Sequence, residues 1–330
     1  MVPCRNEHGF VDTFLDALAA QRLPADWNVE WLIADGGSDD GTRERLEARA
    51  RGEARLVVID NPRRIVSAGL NACLARASGE VLARLDVHTT YAEDYLAQCI
   101  AALERSGADN VGGPWIAVGD GPTQRAIAAA FQSSWVVGGA RSRDRGYEGT
   151  ADTVYLGCWP RRSFERFGGF DESLVRNQDD EHNLRIVRGG GRVWQSAAIR
   201  STYRPRGSVV QLFSQQRQYG YWRSMVLRKH GTPGSWRQLV PAAFIAALAL
   251  LLLASPWLGP MPLTLLLGAY ALYLAATSAV LAAHAGWPLM WRLPCIIGAF
   301  HFGYGIGTWQ GLTAMVSGRG PTLAQTELTR

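Results

Sequence analysis

Paired cysteines are absent from this sequence. Its five cysteines are odd in number and form neither a C-x-x-C pair nor a cysteine–histidine spacing typical of a zinc site. Both a disulfide-stabilised scaffold and a structural zinc fold are therefore excluded. We expect the part of the protein that folds in water to occupy a reducing compartment.

Runs of lysine and arginine with interleaved aromatic residues are also missing, although the formal net charge is +5 and the pI is about 9.1. The basic residues are spread thinly, so the sequence predicts no nucleic-acid partner. A basic surface that faces an anionic membrane explains the excess positive charge equally well.

Charged side chains are missing altogether from residues 238–291 and 293–318. A bilayer core about 30 Å thick needs roughly 20 helical residues, which segments 240–258 and 261–283 each supply. The sequence therefore predicts a membrane anchor over residues 231–330. The alternative is a buried helical hairpin of a soluble domain.

A third apolar segment, residues 293–316, is a weaker candidate for a transmembrane helix. His301, Gln310 and several glycines make it less apolar than the first two segments. It could span the membrane packed against its neighbours, or form a re-entrant segment. The anchor is thus predicted to contain two or three transmembrane helices.

The flanks of the anchor predict its orientation. No apolar signal segment precedes the first predicted helix, and positive residues lie just before the first apolar segment, namely Arg223, Arg228, Lys229 and Arg237. The positive-inside rule places this flank in the cytoplasm. We therefore expect a multi-pass protein of the inner (cytoplasmic) membrane whose N-terminal domain faces the cytoplasm.

The N-terminal part alternates short apolar runs with longer amphipathic stretches, which predicts an α/β domain with a largely parallel sheet. The predicted strands are residues 29–34, 56–60 and 81–85. The predicted helices are residues 11–21, 42–51, 65–77 and 92–105.

Polar residues follow two of the predicted strands, at the sheet edge where open α/β domains bind ligands. Asp35 begins a glycine-rich loop after the first strand, and Asp86-Val87-His88 follows the third. Asp86 and His88 project to the same side of an extended segment and so could share one ligand. The structural alternative is that Asp86 caps the next element and His88 merely faces solvent.

An acidic cluster, Asp179-Asp180-Glu181, opens a further amphipathic helix. Negative charge at a helix N-terminus stabilises the helix by up to about 1 kcal/mol, and this alone could explain the cluster. The functional interpretation is that one carboxylate acts as a general base.

Three tryptophans are candidates for stacking on sugar faces, namely Trp135, Trp159 and Trp222. Burial for packing area is the competing explanation for each of them.

In order and spacing, these segments resemble family 2 glycosyltransferases with the GT-A fold, over roughly residues 1–230. The matching segments are residues 3–7, the Asp35 loop, and residues 61–71, 86–88, 168–172 and 178–185. Residues 84–91 and 110–113, together with the C-terminal spans, look most like the succinoglycan-biosynthesis ExoA-type enzymes. The resemblance implies a GT-A, Rossmann-like catalytic domain over residues 1–230, followed by C-terminal transmembrane helices.

The resemblance also implies roles for individual residues. The nucleotide-sugar would be bound by Pro3, Arg5, Glu7, Asp35 and Asp86, with Asp35 reading the base. His88 and Asp86 would hold a divalent metal, Mn²⁺ or Mg²⁺. Asp179 would be the general base, and Asp180, Glu181 and Arg185 would support the start of its helix.

This sequence departs from the family pattern at three places. His88 replaces the usual second aspartate of the metal motif, which makes the identity of the metal uncertain. Gln178 replaces the usual glutamate before Asp179, and loss of that like charge should lower the pKa of Asp179. Only Met1 and Val2 precede Pro3, so the first strand is expected to be short, through truncation or a misassigned start.

The sequence therefore predicts an inverting, metal-dependent hexosyltransferase. It would move a hexose from a nucleoside diphosphate sugar, most simply a UDP-sugar, to a hydroxyl of a lipid-linked saccharide in exopolysaccharide or cell-envelope glycan synthesis. The alternatives are a polyprenyl-phosphate sugar synthase and a non-catalytic nucleotide-binding assembly subunit.

Overall fold

A computed structural model describes residues 1–318 and 320–322. The chain divides into two compact units. The first contains Met1–Ile116 and Arg141–Tyr203, and the second contains Ala117–Ala140 and the chain from Arg204 onward. This division differs from the predicted boundary after residue 230, because two segments expected in the catalytic domain pack with the C-terminal helices instead.

The first unit begins with three parallel strands, β1 (Val2–Cys4), β2 (Trp31–Asp35) and β3 (Leu56–Asp60), paired in that order. Every residue of β2 is buried, as expected for a strand covered on both faces. Three helices connect and follow these strands: α1 (Val11–Ala19), α2 (Thr42–Ala50) and α3 (Val66–Arg76). The predicted elements in this region are confirmed to within a few residues.

A five-stranded sheet continues the first unit in the order β4-β9-β6-β10-β8. Its strands are β4 (Val81–Ala83), β6 (Asn110–Gly113), β8 (Gly149–Thr150), β9 (Tyr155–Pro160) and β10 (Val193–Gln195). β9 is antiparallel to both its neighbours, and β8 is antiparallel to β10. The expectation of a largely parallel sheet therefore holds for the first three strands and for the β6–β10 pair, whereas the other pairs of the five-stranded sheet are antiparallel.

The remaining elements of the first unit complete its covering layers. β5 (Thr89–Tyr91) pairs antiparallel with β11 (Ser201–Tyr203). The helices are α4 (Tyr95–Ser106), α7 (Arg161–Phe167) and α8 (Gln178–Arg188), and a short strand β7 (Ile116–Ala117) lies where the chain leaves the unit. Hydrogen bonds from Met1 N to Ala83 O (2.8 Å) and from Leu85 N to Met1 O (3.0 Å) join β1 to the β4 segment.

Two apolar clusters fill the unit, one on each face of β2. Trp31 and Ile33 belong to one cluster, with Phe14 of α1, whereas Leu32 and Ala34 belong to the other. This alternation follows from the period of two along a strand. The result is a three-layer arrangement that leaves the carboxyl ends of the central strands as the sheet edge available for a ligand.

The second unit is helical. It contains α5 (Pro122–Gln132), α6 (Ser134–Val137), α9 (Val209–His230), α10 (Val240–Leu258), α11 (Met261–Ala285) and α12 (Leu293–Ser317). In the part of the chain that the structure describes, two helices are long and apolar enough to cross a membrane, Trp236–Leu258 and Met261–Ala285. The third predicted segment also forms a helix, α12, and ten of its 25 residues are buried within this unit.

All five cysteines are free thiols, as predicted, and Cys295 alone is exposed.

Candidate active site

The Asp35 loop lies at the carboxyl edge of β1 and β2. The Asp35 carboxylate is buried and accepts hydrogen bonds from Gly37 N (3.2 Å), Ser38 N (3.3 Å) and Ser38 Oγ (2.5 Å). These bonds fix the carboxylate within its own loop. Asn6 N donates to Ser38 Oγ (2.8 Å), so the segment after β1 is tied to the same loop.

Two buried polar atoms beside this loop have no hydrogen-bond partner among the described residues. They are Nε of Arg5, whose side chain packs over Gly36, and Oδ1 of Asn61, whose backbone N donates to Asp35 O (2.8 Å). Buried polar atoms are nearly always satisfied in proteins, and the exceptions often mark a place where a ligand binds. Pro3 pairs with Ala34 in the adjacent strands.

Arg84 brings together two predicted site carboxylates, Asp86 and Asp179, that lie far apart in the sequence. Its guanidinium is buried, with 6% of the residue exposed. Nη2 lies 3.3 Å from both carboxylate oxygens of Asp86, and Nη1 lies 3.5 Å from Oδ2 of Asp179. Burial lowers the pKa of Arg84, but the two carboxylates outweigh this effect and hold its pKa above the ordinary value.

The sequence patterns did not predict Arg84 as a site residue. Its position could have indicated it, since it interrupts the apolar run of residues 81–85 just before Asp86. A charged residue within a buried strand end requires a partner of opposite charge, which itself indicates a site.

Tyr91 fixes the backbone of the Asp86 turn. Its hydroxyl accepts a hydrogen bond from Asp86 N (2.7 Å) and donates one to Asp86 O (3.0 Å). Asp86 therefore has a defined orientation before any ligand arrives.

Asp179 lies in the first turn of α8, with a third of its side chain exposed (33%). Burial raises its pKa, the neighbouring Asp180 raises it further, and Arg84 opposes both. Gln178 adds no like charge, but burial and Asp180 still leave the pKa of Asp179 above its ordinary value. A raised pKa brings a carboxylate closer to the proton affinity that a general base needs near neutral pH.

The predicted supporting residues hold α8 in place. Glu181 is fully buried and pairs with Arg185, whose Nε lies 2.9 Å from Glu181 Oε2. Arg185 also donates to Phe167 O (2.5 Å) and Gly169 O (2.6 Å). Asp180 Oδ1 accepts a hydrogen bond from Thr153 Oγ1 (2.8 Å). The start of α8 is thus fastened to the turn that precedes it and to the segment before β9.

The His88 side chain contacts Glu7 and does not merely face solvent. Its Nε2 lies 2.8 Å from Oε1 of Glu7, a buried side chain, and its ring meets Phe10 edge-on. This contact leaves Nδ1 as the ring nitrogen available to a metal. Metal-binding histidines commonly donate their other N–H to a carboxylate in this way.

A divalent metal at this site would need ligands from the substrate as well as from the protein. No group of three His, Cys, Asp or Glu side chains able to hold a metal occurs within residues 1–318 and 320–322. Magnesium and similar ions, however, are often bound by one or two protein ligands together with substrate phosphates. Asp86 and His88 are the two side chains that could supply this smaller number of ligands.

Two of the candidate sugar-stacking tryptophans are excluded by burial. Trp159 packs among Phe164, Phe170 and His182 in the core, and Trp222 is buried in α9. Trp135 is exposed.

Comparison with known proteins identifies the family. Residues 1–167 match the family described as Glycosyl transferase family 2. The chain is also 34% identical over 266 residues to the succinoglycan biosynthesis protein ExoA of Rhizobium meliloti, covering 79% of this chain and 80% of that protein. This chain belongs to glycosyl transferase family 2. The predicted family and the prediction that the chain is a glycosyltransferase are confirmed.

Two further proteins resemble this transferase over most of its length. The dolichyl N-acetyl-alpha-D-glucosaminyl phosphate 3-beta-D-2,3-diacetamido-2,3-dideoxy-beta-D-glucuronosyltransferase of Methanococcus voltae is 23% identical over 320 residues, 94% of this chain and 96% of that protein. The mannosyltransferase PcManGT from Pyrobaculum calidifontis, solved with GDP-Man and Mn²⁺, superposes with a TM-score of 0.60 at 20% identity, covering 92% of this chain and 85% of that one. The GT-A fold is thereby confirmed.

The helix that carries Asp179 in this transferase also contains a buried histidine. His182 is fully buried, its ring stacks on Phe164, and its Nε2 lies 3.0 Å from Gly168 O. Burial and the nearby Arg185 lower its pKa from 6.5 to about 4. The histidine is therefore neutral at pH 7.

We predict that acid weakens the fold through His182. The unfolded chain binds this proton near pH 6.5 and the folded chain only near pH 4, so the free energy of unfolding falls as the pH drops through that window. The loss is on the order of 3 kcal/mol. His182→Gln should flatten this part of the pH dependence, measured as the urea midpoint of the full-length protein between pH 7 and 4.5.

His8→Gln is the control, since His8 is exposed and should leave the slope unchanged. An unaltered slope in His182→Gln would contradict the prediction.

Proposed function

We propose that this family 2 transferase is an inverting, metal-dependent enzyme that moves a hexose from a UDP-sugar to a hydroxyl of a lipid-linked saccharide. The observation that carries the proposal is the contact of one buried guanidinium, Arg84, with both Asp86 and Asp179. This contact brings Asp86, the proposed ligand of the donor, and Asp179, the proposed general base, into one site.

The nucleotide is proposed to bind at the carboxyl edge of β1, β2 and β3. The Asp35 carboxylate is suited to accept hydrogen bonds from the base, and Arg5 and Asn61 each offer a buried polar atom without a partner among the described residues. Pro3 and Glu7 border the same edge on the β1 side. These features favour a planar, polar ligand such as uracil with its ribose.

Asp179 is proposed to take the proton from the acceptor hydroxyl. A hydroxyl is a poor nucleophile until its proton is removed, and a positioned base accelerates such a step by about 10² to 10⁴-fold. Its raised pKa suits this task, and Arg84 keeps the carboxylate ionised and oriented. Attack from the face opposite the departing diphosphate inverts the anomeric carbon.

Asp86 and His88 are proposed to hold the divalent metal together with the donor diphosphate. A bound divalent cation neutralises the negative charge that accumulates on the departing diphosphate. The mannosyltransferase that shares this fold was solved with GDP-Man and Mn²⁺, which supports a metal in the proposal. Glu7 would orient His88 through the 2.8 Å contact with its Nε2.

The acceptor class rests on the relatives and on the apolar helices. One relative is a succinoglycan biosynthesis protein, and the name of the other specifies a dolichyl-linked sugar phosphate as its acceptor. The helices Trp236–Leu258 and Met261–Ala285 would hold the enzyme at the inner membrane, where lipid-linked saccharides are found. Arg228, Lys229 and Arg237 before the first helix favour a catalytic unit on the cytoplasmic side.

Substitution of Asp179, the proposed general base, distinguishes a role in catalysis from a role in nucleotide binding. We expect Asp179→Asn to reduce transfer by at least 10²-fold while UDP affinity stays close to that of the wild type, because the amide cannot accept the proton. Initial rates of sugar transfer and calorimetric titration with UDP measure the two effects. Loss of UDP binding would show that Asp179 has a structural role instead, and unchanged transfer would favour a different base.

Asp180→Asn is the matched variant for that experiment. It removes the negative charge that helps to raise the pKa of Asp179, so the acid limb of the kcat/KM profile should move to lower pH while activity at pH 7.5 persists.

The Glu7–His88 contact predicts how metal binding responds to mutation. With UDP present, Glu7→Gln should weaken Mn²⁺ binding by about 10-fold or more, and His88→Ala should weaken it further, because the ring loses its orientation or the ligand itself. Titration of Mn²⁺ followed by electron paramagnetic resonance measures this affinity without requiring turnover. His8→Ala is the control, and wild-type affinity in His88→Ala would show that His88 is not a ligand.

A further inference from the structure

Helices α9 and α12 pack backbone to backbone in the second unit. A Cβ atom added at Gly307 of α12 would lie 2.0 Å from Arg217 O of α9, and one added at Gly220 of α9 would lie 2.1 Å from Tyr304 O. Ser224 Oγ donates to Thr308 O (3.0 Å). Only glycine permits helices to approach this closely.

The glycines of α12 show that this contact is long. Gly303, Gly307 and Gly311 are spaced four residues apart and therefore lie on one face of the helix. They approach Phe213, Arg217 and Tyr221 of α9, respectively. Because the residue numbers rise together on both helices, α9 and α12 run parallel and remain in contact for about two turns.

The stretch of α9 along this contact carries several polar side chains beside Phe213, Tyr221 and Trp222. Between residues 213 and 224 the helix carries two arginines and three glutamines, namely Arg217, Arg223, Gln215, Gln216 and Gln218. Arginine at the centre of a bilayer is strongly unfavourable. If α12 crossed the hydrocarbon core, this part of α9 would also lie in the core, because it packs directly against residues 303–311 of α12.

The hairpin of α10 and α11 differs in both burial and composition. One residue of α10 and three residues of α11 are buried, compared with ten of α12. Its exposed side chains are large and apolar, namely Leu250, Leu252, Leu253, Trp257, Leu258, Met261 and Leu265. At 1.5 Å per residue, the 19 residues of α10 reach about 28 Å, which matches a hydrocarbon core of about 30 Å.

Exposed tryptophans lie at both ends of this hairpin. Trp236, Trp287 and Trp291 are at the end where the chain enters and leaves, and Trp257 is next to the turn. Tryptophan concentrates at membrane–water interfaces, where its ring is partly solvated. Trp236 and Trp257 are 21 residues apart, about 30 Å along a helix, which is close to the thickness of the hydrocarbon core.

We infer that the anchor crosses the bilayer twice, through α10 and α11, and that α12 is an interior helix of the second unit and not a third span. The inference rests on the proposed membrane location. Two crossings return the chain to its starting side, so Gly318 and Gly320 lie on the same side of the membrane as the segment that precedes α10.

Cysteine labelling tests this inference in the full-length protein. With the exposed Cys295 changed to serine and the four buried cysteines retained, single cysteines are introduced as Gly234→Cys before α10, Met261→Cys at the turn and Gly320→Cys after α12. Spheroplasts and inverted vesicles are then treated with a membrane-impermeant maleimide. Positions 234 and 320 should label in inverted vesicles, and position 261 in spheroplasts.

The outcomes separate the inference from the proposed membrane location. Labelling of position 320 on the side opposite to position 234 would show three crossings and would overturn the inference alone. Labelling of all three positions from the same side would overturn the proposed crossing as well. Wild-type transfer activity in each variant confirms that the labelled protein is folded.

Discussion

A buried guanidinium requires negative partners, and the site of this transferase is arranged around that requirement. An unpaired charge in the position of Arg84 would cost several kcal/mol, since water is largely excluded there. Asp86 at the end of the β4 segment and Asp179 at the start of α8 supply the compensating charges. Asp86 and Asp179 are 93 positions apart in the chain, and both lie next to Arg84 because its buried charge requires negative partners.

The same arrangement sets the protonation behaviour of Asp179. Burial and Asp180 favour the neutral carboxyl, whereas Arg84 favours the carboxylate, and the result is a pKa above the ordinary value. Arg185 fixes the opposite side of α8 through Glu181 and the carbonyls of the preceding turn. The carboxylate thus has a fixed position and a proton affinity that differs from that of an exposed aspartate.

Local sequence patterns predicted the parts of the structure that depend on neighbouring residues. The apolar run at Leu56–Asp60 and the helix beginning at Thr42 appear where they were expected. Asp35, Asp86 and Asp179 are predicted site residues because they follow or begin such elements. The antiparallel β9 was not predicted, since its direction depends on partners distant in the chain.

Features set by tertiary contacts could not be predicted from these patterns. The partners of Arg84, the contact between Glu7 and His88, and the direction of the pKa shift of Asp179 all depend on residues brought together by folding. Trp159 appeared available for a sugar but is a core residue. The apolar composition of residues 293–316 indicated a membrane span or a re-entrant segment, whereas its glycines lie where α9 approaches closely.

The central claim is that a nucleotide-sugar and a divalent metal bind at the edge of β1 to β4, where Arg84 holds Asp86. The most direct test is thermal denaturation of the purified protein with a panel of UDP-, GDP-, CDP- and ADP-hexoses, each with and without Mn²⁺. A ligand that binds the folded state raises the melting temperature. The account predicts stabilisation by a UDP-sugar that increases with Mn²⁺. The absence of stabilisation by every nucleotide-sugar in the panel would contradict it.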